Sequence, residues 1–330
     1  MSDAIVVPSP THSGRSGLLR LSGWGTAIVL AAAWLALIVG SGLHRADFLS
    51  HQTVLAVSFT MSIVGVLAVG QALVGISGGI LDLSQPAGLV LTAYVIARLL
   101  EAGVGTPFVV AAAILTGAAW GLTNGLIIVY GKLNPIIVTL ATNFIGVATM
   151  FLFFQIAQAP INSGICLFGR GSFLGLPNIW WPMVVLVLIV GFFIPRTRYG
   201  RHAIAVGGSR FAAQTRGISL RKTRFAIFIA SGVCAGIAGI LFAASNGPFT
   251  PGGGSSFLLP VIAAVILAGV SLAGGRGSIW LILISVGFLS TVPTSLVFFG
   301  LSSNWQAVFQ GTILIIAVSL DGYRGKRVAR

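Results

Sequence analysis

A single carboxylate, Asp82, lies within the apolar sequence of this 330-residue chain, whereas Asp47, Glu101 and Asp321 stand in flanking segments. Ser84 follows it closely, and amide or hydroxyl side chains recur at Asn124, Thr139, Thr142 and Asn143. Such groups exchange hydrogen bonds with a neutral, hydrogen-bonding solute, and serve equally well as bonds between packed helices. Proton relays and ion-coupled carriers hold several ionisable groups at membrane depth. One acid without a buried base therefore disfavours ion-driven chemistry. His12, His44, His51 and His202 lack metal-ligand spacing, so no metal is expected. Phosphate-loop and His-Glu-x-x-His motifs are missing. No catalytic residue is assigned, and the chain is expected not to hydrolyse ATP by itself. Cys166 falls in a connecting loop and Cys234 in an apolar run, a pattern of packing residues rather than of a disulfide framework or zinc site.

The second concentration of charge is of the opposite kind. Residues 196–224 carry Arg196, Arg198, Arg201, Arg210, Arg216, Arg221, Lys222 and Arg224 without one Asp or Glu. Each cation at a bilayer centre costs about 2.5–3.5 kcal/mol, so the segment stays outside the hydrocarbon, and its charge assigns it to the cytoplasm. Within it Ser209 suits an N-cap and Gly217 a left-handed C-terminal position. Arg210 to Arg216, with Phe211, Ala212 and Ala213, then make about two helical turns. Helices this short do not persist alone in water, which implies docking. The other reading, a solvated basic loop that only sets topology, stays open on the residues alone.

The elements that must position these groups follow from composition. Hydrophobic residues make up 56% of the chain and charged residues 7%, against about 25% charged in a soluble domain. This predicts an all-α integral membrane protein. Apolar runs give about ten transmembrane helices, at 23–42, 54–76, 85–100, 107–130, 136–158, 181–195, 225–245, 257–272, 279–299 and 305–320. The runs 85–100 and 181–195 are short, as expected of broken or tilted spans. Residues 1–21 read as a disordered cytoplasmic tail, 22–320 as one transmembrane domain and 321–330 as a basic cytoplasmic tail. With both termini cytoplasmic, every strongly basic segment falls on one side. The net charge of +14 is thereby explained by orientation against anionic membrane lipid, and no nucleic-acid partner is expected. Gly117, Gly121 and Gly125 recur every fourth residue, and Gly232, Gly236 and Gly239 behave similarly, predicting close helix packing. Val74 to Gly79 faintly echoes Gly269 to Gly275, as an internal repeat would.

Five segments in order resemble the permease subunits of ribose-type bacterial ABC importers, which serve ribose, xylose, arabinose, galactose and related solutes. They are Gly78 to Ser84; Asn124-Gly125 with Lys132, Pro135 and Ile137 to Thr142; Gly200-Arg201 with Ala205 to Gly208, Ala212-Ala213 and Gly217-Ile218; Ala263 to Ser278; and Trp305-Gln306 with Ile315 to Val318 and Asp321. The similarity runs from about 54 to 322. The resemblance implies a multi-pass protein of the bacterial plasma (inner) membrane, importing a neutral monosaccharide. It implies a second permease chain, a cytoplasmic ABC ATPase and an extracytoplasmic solute-binding protein as partners. No cofactor is expected on this chain; ATP-Mg would sit on the ATPase. Gly207, Gly208, Ser209, Arg210, Phe211, Ala212, Ala213 and Gly217 would couple to that ATPase, and Asp82, Ser84, Asn124, Thr139, Thr142 and Asn143 would belong to the translocation pathway. Alternatives are a polyol, nucleoside or furanose-like cargo, an ion-coupled carrier, or a receptor-like protein without transport. The chain departs from the family pattern at Leu81, an extra residue, at Gln85-Pro86-Ala87, at Ser209, at Gln214-Thr215-Arg216, and at Leu258-Leu259-Pro260, where an acidic pair is common.

Overall fold

In the computed structural model, residues 16–328 are described except 79–80, 154–155, 246 and 272; side chains at 16–24, 26, 303, 317 and 320–328 lie outside the description. Most of the expected N-terminal disordered tail therefore lies outside the described residues, and helix begins already at Ser16. Each of the ten expected spans coincides with a helix. They are α1 (Ser16–His44), α2 (His51–Ile76), α3 (Gln85–Glu101), α4 (Thr106–Gly131), α5 (Pro135–Phe153), α7 (Trp180–Arg196), α10 (Leu220–Ala243), α11 (Leu258–Leu267), α12 (Leu281–Phe298) and α13 (Ser303–Val328). The intervening segments add α6 (Gly164–Arg170), α8 (Arg198–Gly208) and α9 (Arg210–Thr215). Between α6 and α7, Ser172–Phe173 and Leu176–Pro177 form a small antiparallel hairpin, β1–β2. Leu174 and Gly175 at its tip both have positive φ, as a tight two-residue hairpin turn requires.

Among the described residues, six helices are long and apolar enough to cross a membrane unaided: α2, α4, α5, α10, α12 and the 27–44 part of α1. The two short runs behave as their lengths suggest. Helix α3 has 17 residues and opens with Pro86 in its first turn, where no intrahelical N–H is lost. Helix α7 turns by 75° into α8. Thr197 at the corner is extended, and its hydroxyl accepts from the Gly200 N–H at 3.2 Å, so one helix ends as the next is capped.

Packing explains the order of layers. Helix α10 lies centrally against α4, α2 and α3, and from Met61 to Ile76 every residue of α2 is buried. The α4–α10 seam is closed by the two glycine stripes. A Cβ on Gly117 would overlap the Gly232 carbonyl and come within 2.7 Å of Gly236 Cα; one on Gly121 would overlap the Phe228 carbonyl. Only glycine lets these backbones approach so closely. Helices α1 and α5 form an outer layer whose large apolar side chains, such as Val29, Leu35, Phe144 and Leu152, are 63–81% exposed. An apolar surface of this extent belongs against lipid.

Candidate functional site

Between α2 and α3, Asp82 is buried at a polar node. Asp82 Oδ1 accepts from the Ser84 N–H at 3.0 Å and the Ser84 hydroxyl at 2.6 Å, and Oδ2 accepts from the Ser231 hydroxyl of α10 at 2.6 Å. The Asp82 N–H donates to Gln71 Oε1 of α2 at 3.1 Å. Gln85 Nε2 donates to the Ser231 hydroxyl at 3.0 Å and to the Leu67 carbonyl at 3.2 Å. From α4, Asn124 Nδ2 donates to the Ser84 hydroxyl at 3.0 Å, and Trp120 Nε1 to the Ser84 carbonyl at 3.1 Å. Thr142 of α5 closes the chain by donating to Asn124 Oδ1 at 2.7 Å. Residues of five helices thus join one network around Asp82, which is 3% exposed.

Four of the six residues expected along a pathway, Asp82, Ser84, Asn124 and Thr142, belong to this network. Asn143 stands at its edge, accepting from the Ala87 N–H at 3.2 Å. Thr139 bonds within its own helix, to the carbonyls of Pro135 and Ile136. Gln71, Gln85, Ser231 and Trp120 were not singled out from the sequence as part of such a site. Amides inside apolar runs are the signal that would have marked Gln71 and Gln85, because a buried amide without partners costs about 1–3 kcal/mol. Ser231 has no such local signal. Beside the node runs a cleft too narrow for a water molecule, bounded by Gln71, Asp82, Gln85 and Pro86 on one side and by Phe257, Leu258, Val261 and Ile262 on the other.

The basic segment is ordered as two helices, of which the sequence indicated only the second. Gly200, Ala203 and Val206 form the buried stripe of α8, while Arg198, Tyr199 and Arg201 are exposed. Ser209 caps α9 by accepting from the Ala212 N–H at 3.3 Å, and Gly217, at φ +75°, ends the turn that follows, as its sequence position implied. The expected coupling residues divide by direction. Ala213 is buried, whereas Ser209, Arg210, Phe211 and Ala212 are exposed, Phe211 at 78%. Gly207 meets the protein body: a Cβ there would overlap the Ile76 carbonyl and lie 2.5 Å from the Gly275 nitrogen. That carbonyl accepts from the Gly275 N–H at 2.8 Å, so two segments that echo each other in sequence are joined directly. A cavity of about 210 Å³ opens beside this junction, among Ile76, Ile194, Ile204, Arg276 and Trp280.

Charge on this surface is not neutralised from within. Among the described residues the one ion pair is Arg98–Glu101, at 2.9 Å on the far end of α3. Arg224 buries Nε and Nη2 with no hydrogen-bond partner among the described residues. Helical spans combined with an ordered, outward-facing basic helix pair fit a membrane subunit that works with a soluble partner. The model of the family described as branched-chain amino acid transport system / permease component matches residues 53–318. The chain belongs to this permease family. Among its relatives, the ribose import permease protein of Bacillus subtilis is 34% identical, over 86% of this chain and 89% of that protein. The D-allose transport system permease protein of Escherichia coli is 32% identical over 90% and 91%. The L-arabinose ABC transporter permease protein of Azospirillum brasilense is 29% identical over 98% and 93%. No solved structure matches the chain. The resemblance carried by the five sequence segments is borne out, and the protein is a multi-pass inner-membrane transport subunit.

Proposed function

We propose that this permease is the membrane subunit of an ATP-driven, receptor-dependent importer for a neutral monosaccharide. The observation that carries the reading is the set of ribose, allose and arabinose permeases matched over nearly the whole chain. The interior supports it. A zwitterionic amino acid would call for a buried cation as well as an anion, whereas the polar node offers one carboxylate among amides and hydroxyls. Both oxygens of that carboxylate are occupied by serine donors, which does not favour an ion relay.

In this mechanism the cytoplasmic ATPase binds ATP-Mg and docks on α9, with Arg210, Phe211 and Ala212 as its contacts and Ser209 and Gly217 holding the helix. Gly207 and Gly208 carry its motion to Ile76 and Gly275, against which they pack. Ile76 ends α2, five residues beyond Gln71, so the displacement reaches the polar node through one rigid helix. Asp82, Ser84, Asn124, Thr139, Thr142 and Asn143 lie along the route, with Thr139 the least engaged. A second permease chain completes the pathway, and a solute-binding protein delivers the cargo from outside. Both termini are cytoplasmic. The permease has two conformations, and ATP supplies the differential free energy that switches them.

Uptake of labelled D-ribose, L-arabinose and D-allose, with polyols and nucleosides for comparison, tests this in cells with and without the chain. Loss of one sugar on deletion, unchanged by an uncoupler while ATP is maintained, is the expected result. Uptake that collapses with the ion gradient overturns it.

A further inference from the structure

Among the described residues, Gln71 carries the one buried amide donor of the polar node without a partner. Its side chain lies in a residue 1% exposed, and its Oε1 is taken by the Asp82 N–H. Its Nε2 has no hydrogen-bond partner among the described residues. Gln85 nearby shows the contrast, because its Nε2 is satisfied twice. Buried donors are rarely left unmet, and each exception needs a reason. Here the reason is position: Gln71 lines the narrow cleft whose opposite side is made by Phe257, Leu258 and Val261.

We propose that Gln71 is a sugar-contacting residue, donating to a hydroxyl of the monosaccharide, and that α11 is the wall that moves to admit it. The proposal rests on the sugar-importer reading above. A monosaccharide offers acceptor oxygens along its edge and C–H groups on its faces. Gln71 Nε2 meets the first, and the Phe257 ring with Val261 meets the second, the usual division of a small-ligand site. The cleft as it stands excludes even water, so one side must withdraw. The α2–α3 side is tied into the five-helix node. The other side is not: α11 has ten residues, follows a 3-10 turn at Gly253–Phe257, and ends at Gly269 with φ +79°. Short linking segments at both ends are where a hinge absorbs rotation. The loop after α11 carries Gly275, which bonds Ile76 and packs against Gly208, so the moving wall is one loop away from the cytoplasmic surface.

The test uses the assembled transporter, with its ATPase and solute-binding protein, in vesicles. Gln71→Met keeps the side-chain length and removes the free donor, together with the oxygen that takes the Asp82 N–H, without setting a second carboxylate beside Asp82. It is expected to raise the KM for the imported sugar about tenfold, the worth of one good hydrogen bond, with ATPase docking retained. Independently, Val261→Cys is treated with N-ethylmaleimide, Cys166 and Cys234 both being buried. Labelling is expected to quicken when ATP is turned over and to slow when the imported sugar is added. Normal import with labelling indifferent to both overturns the proposal while leaving the importer reading intact. Failure to import D-ribose, L-arabinose or D-allose overturns that reading and this proposal with it.

Discussion

Charge concentrates in two regions of this permease, around Asp82 and along α8–α9, and it is satisfied in opposite ways. The Asp82 carboxylate is enclosed and accepts three hydrogen bonds from two serines. The cations of α8 and α9 face outward, with no described acid beside them, and Arg224 holds two buried nitrogens unpaired. One region is complete within the chain, and the other has no described acid to pair with. The difference separates groups satisfied within the chain from groups that no described residue pairs, and it is sharper than residue type alone would suggest. Gln71 belongs to both kinds, with one end bound internally and the other free.

The largest effect is expected from Asp82→Leu. Three buried donors would be stranded at about 1–3 kcal/mol each, a sum comparable with a domain's whole stability of about 5–15 kcal/mol. Folded protein should not accumulate, as read by size-exclusion profile and thermal melt in detergent. A stable, merely inactive variant would break the comparison, because the carboxylate would then serve transport alone. Asp82→Asn keeps an acceptor and should slow transport without releasing the ATPase.

Next comes Ala212→Arg, on the exposed face of α9. It removes no internal contact, so the melting temperature should stay at the wild-type value while uptake is abolished. Uptake at the normal rate would show that α9 is only a solvated topology signal. The smallest effect is expected from Thr139→Val, whose hydroxyl bonds only carbonyls of its own helix. Stability should change by about 1 kcal/mol or less, and uptake by under about twofold, since no partner on another helix is lost. A large loss of uptake would show that Thr139, the least engaged of the route residues, touches the cargo directly.

Much of this was legible in the sequence because the signals are local. Apolar runs marked ten of the helices, six of them long and apolar enough to cross a membrane, and Ser209 and Gly217 marked α9, since caps act within a few residues of their own position. The glycine stripes announced close packing because small residues at every fourth position form one helix face. Helix α8 was missed because its buried stripe of Gly200, Ala203 and Val206 is made of small residues among arginines, which reads as a polar loop. The polar candidates near Asp82 were recognised by type, yet their separation into members of the network and the self-bonded Thr139 was not.

What the sequence determined by itself is therefore most of the helices, their membrane setting and the family, all consequences of hydropathy, capping and motif order along the chain. Tertiary structure alone decided which helices meet. Ser231 reaches Asp82 across 149 residues, and Asn124 reaches Ser84 across 40. A hydrogen bond of that kind exists only once several helices have packed, because neither partner carries any local preference for the other. The free donor of Gln71 is settled in the same way, by what the folded neighbours already occupy and what they leave open.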